Sequence, residues 1–236
     1  MRKTESKIAS QSTAQAEQQK RRLPVSRRTF TFGALGALAL FGLGSVTLLP
    51  NKPLCRPPGG QDEDSFLEGC IHCERCREIC PRTAIAPTKI EKGLLVARTP
   101  SMNFKQGWCD FCEEIEGGPR CIAVCPTNAL RKDTEVATVI IGKAVLNRDW
   151  CLAAKGMGCH VCVDECRYEA LELGYDKVPV IDFDACNGCG ACENVCISLS
   201  SGSITVGATD RAIIVIPTEE ARKMQETTTQ VAGGLV

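Results

Sequence analysis

The chain is poor in aromatics: 2 Trp, 2 Tyr and 7 Phe make up only 5% of its 236 residues. So thin a supply argues against the large packed core of a conventional enzyme. There are just two histidines, His72 and His160, which excludes a histidine-rich metal site. There is no net charge, with 28 basic side chains against 28 acidic, and so none of the cationic excess that a nucleic-acid binder needs. No nucleophile–base pair stands out. The glycine-rich pieces (117–119, 156–158, 187–188) lack the G-x-G-x-x-G context of a nucleotide site. What is abundant is cysteine. The 17 residues are about 7% of the chain, just short of the ~8–10% of a short disulfide scaffold.

The neutral total hides an asymmetry. Residues 1–31 carry a charge of +6 and the remaining body −6. Residues 1–25 are polar and read as disordered. Ser26-Arg27-Arg28-Thr29-Phe30 then precedes an apolar run over 32–49, the order of an export signal. Arg27 and Arg28 fit the twin-arginine pattern S-R-R-x-F, a route that carries proteins already folded around a cofactor. A plain membrane anchor with a basic flank is the simpler alternative. The run has about the ~17–25 residues that span a bilayer, and no small-residue cleavage site closes it. Retention as an inner-membrane anchor and removal are both open.

Sixteen cysteines fall into four groups of four. Group one is Cys70, Cys73, Cys76 and Cys80; group two is Cys109, Cys112, Cys121 and Cys125. Group three is Cys151, Cys159, Cys162 and Cys166; group four is Cys186, Cys189, Cys192 and Cys196. Groups one and four match the C-x2-C-x2-C-x3-C run of bacterial [4Fe–4S] ferredoxins, and groups two and three are the same run with one gap enlarged. Three thiolates on a tight loop cover one side of a cube, and the fourth must come from elsewhere. In two-cluster ferredoxins the last cysteine of each run ligates the other cluster. Ala84-Ile85, Ala129-Leu130 and Ala170-Leu171 repeat behind groups one to three, while group four reaches its apolar stretch only at Ile204. Strand-like runs lie at Leu94–Ala97, Val136–Ile141, Val178–Ile181 and Ile213–Ile216, and short helical turns at Glu74–Ile79 and Ala191–Val195.

Disulfides and zinc are the competing readings. Three cysteines within seven residues and an odd total oppose disulfides, and the third, closely spaced cysteine departs from paired zinc knuckles. Each group holds four cysteines already, so His72 and His160 are not needed as ligands. Trp108 and Trp150, each just before a group, read as packing that keeps water from a cluster. The seventeenth cysteine, Cys55, reads as an unliganded thiol.

With these motifs in view, the chain resembles the NapG/MauM ferredoxin-type proteins, which are tied to periplasmic nitrate reduction and methylamine utilisation. The resemblance spans about residues 26–216 and includes Arg56-Pro57-Pro58-Gly59, Ala144-Val145-Leu146 and the stretch from Asp184 to Glu193. It implies four [4Fe–4S] clusters held by the sixteen cysteines, and non-catalytic electron transfer outside the inner membrane. A membrane quinol-oxidising iron–sulfur protein would donate and a periplasmic redox enzyme or cytochrome would accept, with no nucleic acid involved. Arg167 and Ile197 follow the last cysteine of groups three and four, where groups one and two have Pro. The competing functions are the iron–sulfur subunit of a molybdenum oxidoreductase and a maturation factor for a periplasmic enzyme. The expected fold is α+β, with two ferredoxin-like two-cluster units. Because groups two and three are both enlarged and adjacent, the preferred scheme nests them (99–177) inside an outer unit (66–98 and 178–216). It pairs Cys70, Cys73 and Cys76 with Cys196, Cys186, Cys189 and Cys192 with Cys80, Cys109, Cys112 and Cys121 with Cys166, and Cys151, Cys159 and Cys162 with Cys125. Tandem pairing, one with two and three with four, is the rival. Residues 51–64 read as a linker and 217–236 as a tail.

Overall fold

A computed structural model describes residues 31–33, 36, 53–202 and 206–233, with the side chains of 202 and 226–233 left out. The chain divides into two units, residues 1–49 and 50–236. In the first, the described residues 31–33 and 36 are helical and exposed. Arg27, Arg28 and most of the apolar run lie outside the described residues. Among the described residues no helix is long and apolar enough to cross a membrane.

The second unit is a mixed α+β structure of very short elements. Helix α1 (Glu63–Gly69) starts where the Asp62 carboxylate accepts the Ser65 N–H, and two acidic residues favour its positive N-terminal end. Four helices of one turn follow: α2 (Arg75–Glu78), α3 (Arg120–Val124), α4 (Val161–Asp164) and α5 (Ala191–Val195). Each carries the third cysteine of its group (Cys76, Cys121, Cys162 and Cys192) and buries it. Three residues beyond the last cysteine of groups one to three, Thr83, Asn128 and Glu169 take left-handed backbone angles (φ 52°, 59° and 52°). That turn delivers Ala84-Ile85, Ala129-Leu130 and Ala170-Leu171 into the core, where all six are buried. The fourth copy is Ala212-Ile213, also buried. The insertion carrying helix α6 (Ser198–Gly202) delays it, which is why it does not stand at the repeat spacing.

Among the described residues, three two-stranded antiparallel sheets result. β1 (Ile85–Pro87) pairs with β2 (Pro100–Met102), Ile85 opposite Met102. β3 (Lys143–Leu146) pairs with β6 (Ile213–Ile216), Lys143 opposite Ile216. β4 (Leu171–Leu173) pairs with β5 (Pro179–Ile181), Leu171 opposite Ile181. Two of the expected strands are present. Leu94–Ala97 instead forms the turn joining β1 to β2, burying Val96 and exposing Leu94 and Leu95. Of the expected strand over 136–141, Val136–Thr138 forms a 3-10 turn, and the Ile141 N–H donates to the Asn187 carbonyl at 2.9 Å rather than to a strand.

The topology is tandem, which corrects the nested scheme. The β1–β2 hairpin runs from group one directly into group two, and the Arg131 N–H closes back on the Gly59 carbonyl at 3.0 Å. Strands β3 and β6 bracket groups three and four alone. Each pair of cysteine groups thus closes over a short stretch of chain, at lower loop entropy than the nested arrangement.

Two boundaries also move. Residues 55–60 are buried rather than linker, because Arg56 reaches across the fold. Its guanidinium ion-pairs with Glu63 through both nitrogens of one edge, donates to Thr99 Oγ1 and the Pro100 carbonyl at 2.8 Å each, and lies 4.7 Å over the Phe66 ring. Residues 218–233 form helix α7 (Thr218–Gly233), seated on the fully buried Ala221.

Candidate metal centres

Four cavities hold the sixteen cysteines, four to each. The first is lined by Cys70, Cys73 and Cys76 with Cys125. The second is lined by Cys80 with Cys109, Cys112 and Cys121. The third has Cys186, Cys189 and Cys192 with Cys166, and the fourth Cys151, Cys159 and Cys162 with Cys196. In every case the last cysteine of a group crosses to its neighbour, one with two and three with four. None of the four pairings of the nested scheme is formed.

Local sequence explains the loops. In group two, Asp110 Oδ1 accepts the Cys112 N–H at 3.0 Å; in group four, Asn187 Oδ1 accepts the Cys189 N–H at 3.1 Å. These side-chain turns fold the C-x2-C segment so that both sulfurs face inward. Burial works to raise the Asp110 carboxyl, but the Arg82 guanidinium at 2.7 Å and the Cys112 N–H hold it below the usual range. Gly190, at φ 82°, lies so close to Phe104 that a Cβ there would stand 1.8 Å from the ring, so only glycine lets the group-four loop pass.

Burial raises several of these thiols in the metal-free chain: Cys76 and Cys189 to about 11, Cys121 and Cys162 to about 12. Cys109 and Cys192 stand well above the normal thiol range for the same reason. At Cys125 burial is outweighed by the Leu130 N–H and the Thr127 hydroxyl, and the thiol is lowered. Metal ligands must be thiolates, so loading these sites releases protons.

The donor set fits an inorganic cluster. Among the described residues, no three His, Cys, Asp or Glu side chains converge closely enough for a single metal ion. Tetrahedral zinc, with Zn–S near 2.3 Å, would need sulfurs about 3.8 Å apart. Each cavity brings together four cysteines, the number of thiolates that a [4Fe–4S] core takes. Cys55 lines none of the four cavities. It is buried at 3.9 Å from the Val215 carbonyl, and desolvation, then Glu193 and Glu220, push its thiol to about 12.

The cavities stand in a row. First and second share one buried cluster containing Cys76 and Cys121. Second and third meet where the Cys109 N–H donates to the Cys189 carbonyl at 2.8 Å. Third and fourth share a core containing Cys162, Cys186 and Cys192.

Sequence reasoning missed two features around this row. Trp108, which lines the second cavity as expected, carries the guanidinium of Arg82 at 4.6 Å and that of Arg167 at 4.7 Å. Lys143 is buried under the group-four loop, donating to the carbonyls of Phe183 and Cys186 at 2.5 and 2.6 Å. The histidines stay at the surface: His72 at the mouth of the first cavity, and His160 paired with Asp164 at 2.6 Å.

Comparison with known proteins agrees with this chemistry. Two family models, each described as a 4Fe–4S binding domain, match residues 67–86 and 179–197, the stretches with regular cysteine spacing. A ferredoxin-type protein NapG of Escherichia coli is 33% identical over 182 residues, covering 71% of this chain and 77% of the relative. A methylamine utilization ferredoxin-type protein MauM of Methylobacillus flagellatus is 32% identical over 211 residues, covering 83% and 86%. A ferredoxin-type protein NapF of Escherichia coli is 30% identical over 148 residues, covering 60% and 79%. With identity and coverage at this level, and with cysteines gathered as an iron–sulfur core demands, the chain belongs to the NapG/MauM family of ferredoxin-type proteins, electron carriers rather than enzymes.

Proposed function

We propose that the protein relays single electrons through four [4Fe–4S] clusters in the periplasm, taking them from a quinol-oxidising iron–sulfur protein of the membrane and delivering them toward a periplasmic redox enzyme or cytochrome. The observation that carries this reading is the row of four cavities, each ringed by four cysteines. A bound cubane supplies one-electron acceptance and donation, at a potential that its surroundings set. The chain's own residues hold the thiolates, keep water out with Trp108 and the paired core strands, and bring neighbouring sites together through Cys109 and Cys189. Arg27 and Arg28 would direct export of the folded, loaded protein, and residues 32–49 would tether it if they are retained.

The relatives' names favour a second reading. Several attach a ferredoxin-type chain to one process, methylamine utilization. A chain dedicated to one enzyme could be the iron–sulfur component of an oxidoreductase, for example a molybdenum one, or its maturation factor. Cells carrying Cys73→Ser distinguish these roles. A relay loses quinol-dependent turnover of the periplasmic enzyme but keeps turnover driven by reduced viologen. An enzyme inactive with both donors would overturn the relay and support maturation.

A further inference from the structure

The two ends of the row differ. Cys73, at the first cavity, is the one exposed residue among the sixteen. That cavity is also the largest of the four that cysteines line, about 490 Å³ of empty space including its mouth, against 360, 310 and 340 Å³ for the second, third and fourth. Its mouth carries Ile71, 60% exposed, beside Arg75, Arg77 and Arg98. One carboxylate faces these three guanidiniums: Glu74, 2.8 Å from Arg77 and 3.3 Å from Arg98. Arg75 has no part in either pair. The fourth cavity, at the other end, has no charged lining residue, and Val161 and Ile197 stand exposed at its edge.

An opening of this kind, cationic around an apolar tip, selects its partner by charge. Field lines concentrated at such a mouth raise the encounter rate with an anionic surface by roughly 10–10³-fold, and salt removes the gain. We propose that the mouth of the first cavity is the docking site for a redox protein with a carboxylate-rich face. Its carboxylates meet Arg75, Arg77 and Arg98 while Ile71 fills the dry centre of the contact beside Cys73. One electron crosses there. The partner's centre gains or loses the electron that the cluster on Cys70, Cys73, Cys76 and Cys125 loses or gains, and no bond forms and no proton moves. The proposal rests on the relay reading and assigns it a direction in space.

The test uses the full-length, iron-loaded protein, reduced with dithionite and mixed in a stopped-flow cell with two haem probes, the acidic cytochrome b5 and the basic cytochrome c. At low ionic strength R75E/R98E should slow reduction of cytochrome b5 by at least about tenfold and speed that of cytochrome c. The difference should vanish as salt rises, with iron content and visible spectrum unchanged. R148E, which reverses an exposed arginine paired with Asp176, should leave the ratio of the two rates alone. Should the double variant load iron poorly, R75Q, which breaks no ion pair, should shift the ratio the same way by a smaller factor. An iron-loaded variant with the parent's rate ratio, or an equal change in R148E, overturns the docking proposal. A parent protein that holds no iron fails the relay reading instead.

Discussion

At the residue scale, Arg56 does the most for the fold outside the cysteines. It is 2% exposed and joins the start of the unit to α1 and to the first residue of β2. Removing one partner of a buried ion pair costs about 3–5 kcal/mol; Glu63 is 27% exposed and recovers part of its hydration. Arg56→Met should therefore destabilise the loaded protein by about 2–4 kcal/mol, read as an earlier midpoint in anaerobic urea unfolding. An unchanged midpoint would mean the network is ornamental. This role was not legible in the sequence, where Arg56 is only the first residue of a Pro-Pro-Gly segment. Two of its partners stand 43 and 44 residues away, and nothing local announces them. That the first three cysteines of each group gather in one cavity was legible, because the spacing of a group is a short-range signal. The Asp110 and Asn187 turns belong to the same class of short-range signal.

At the element scale, the one-turn helices and the hairpins decide which cysteines meet. The strands Pro179–Ile181 and Ile213–Ile216 were readable as short runs of Val and Ile. Ile85–Pro87 and Pro100–Met102 were not, since three residues give no period to count and two of the six are proline. The pairing of groups was not legible for a related reason: nothing local in Lys143–Leu146 announces that its partner strand lies beyond group four. The tandem pairing makes a sharp prediction. C70S/C125S strikes one cavity, so iron should fall by about four per chain. The nested pairing would place those two changes at separate clusters and predicts a loss of about eight.

At the scale of the whole molecule, the described residues from 53 to 233 form three two-stranded sheets, mostly one- or two-turn helices and one longer terminal helix, too little regular structure to fold on burial alone. Two-stranded sheets are marginal in water by themselves. Metal binding to sites absent from the unfolded chain is folding free energy, so the clusters should act as the core. Anaerobic chelation of iron should collapse the far-ultraviolet circular dichroism together with the visible absorbance. Retention of a cooperative thermal transition in iron-free protein would contradict this. The mixed α+β class was legible in the sequence, where short Val/Ile runs alternate with the turns that carry the cysteines; which cysteine groups meet was not, because it depends on strands hundreds of atoms apart in the chain. The expected export signal, Arg27 and Arg28 ahead of the apolar run, lies outside the described residues.

The central claim is that sixteen cysteines hold four cubanes and leave Cys55 out. Quantifying iron and acid-labile sulfide in anaerobically purified protein tests it most directly. The account predicts about sixteen of each per chain, with a brown colour that dithionite bleaches. Zinc in place of iron, or about eight irons per chain, would contradict it.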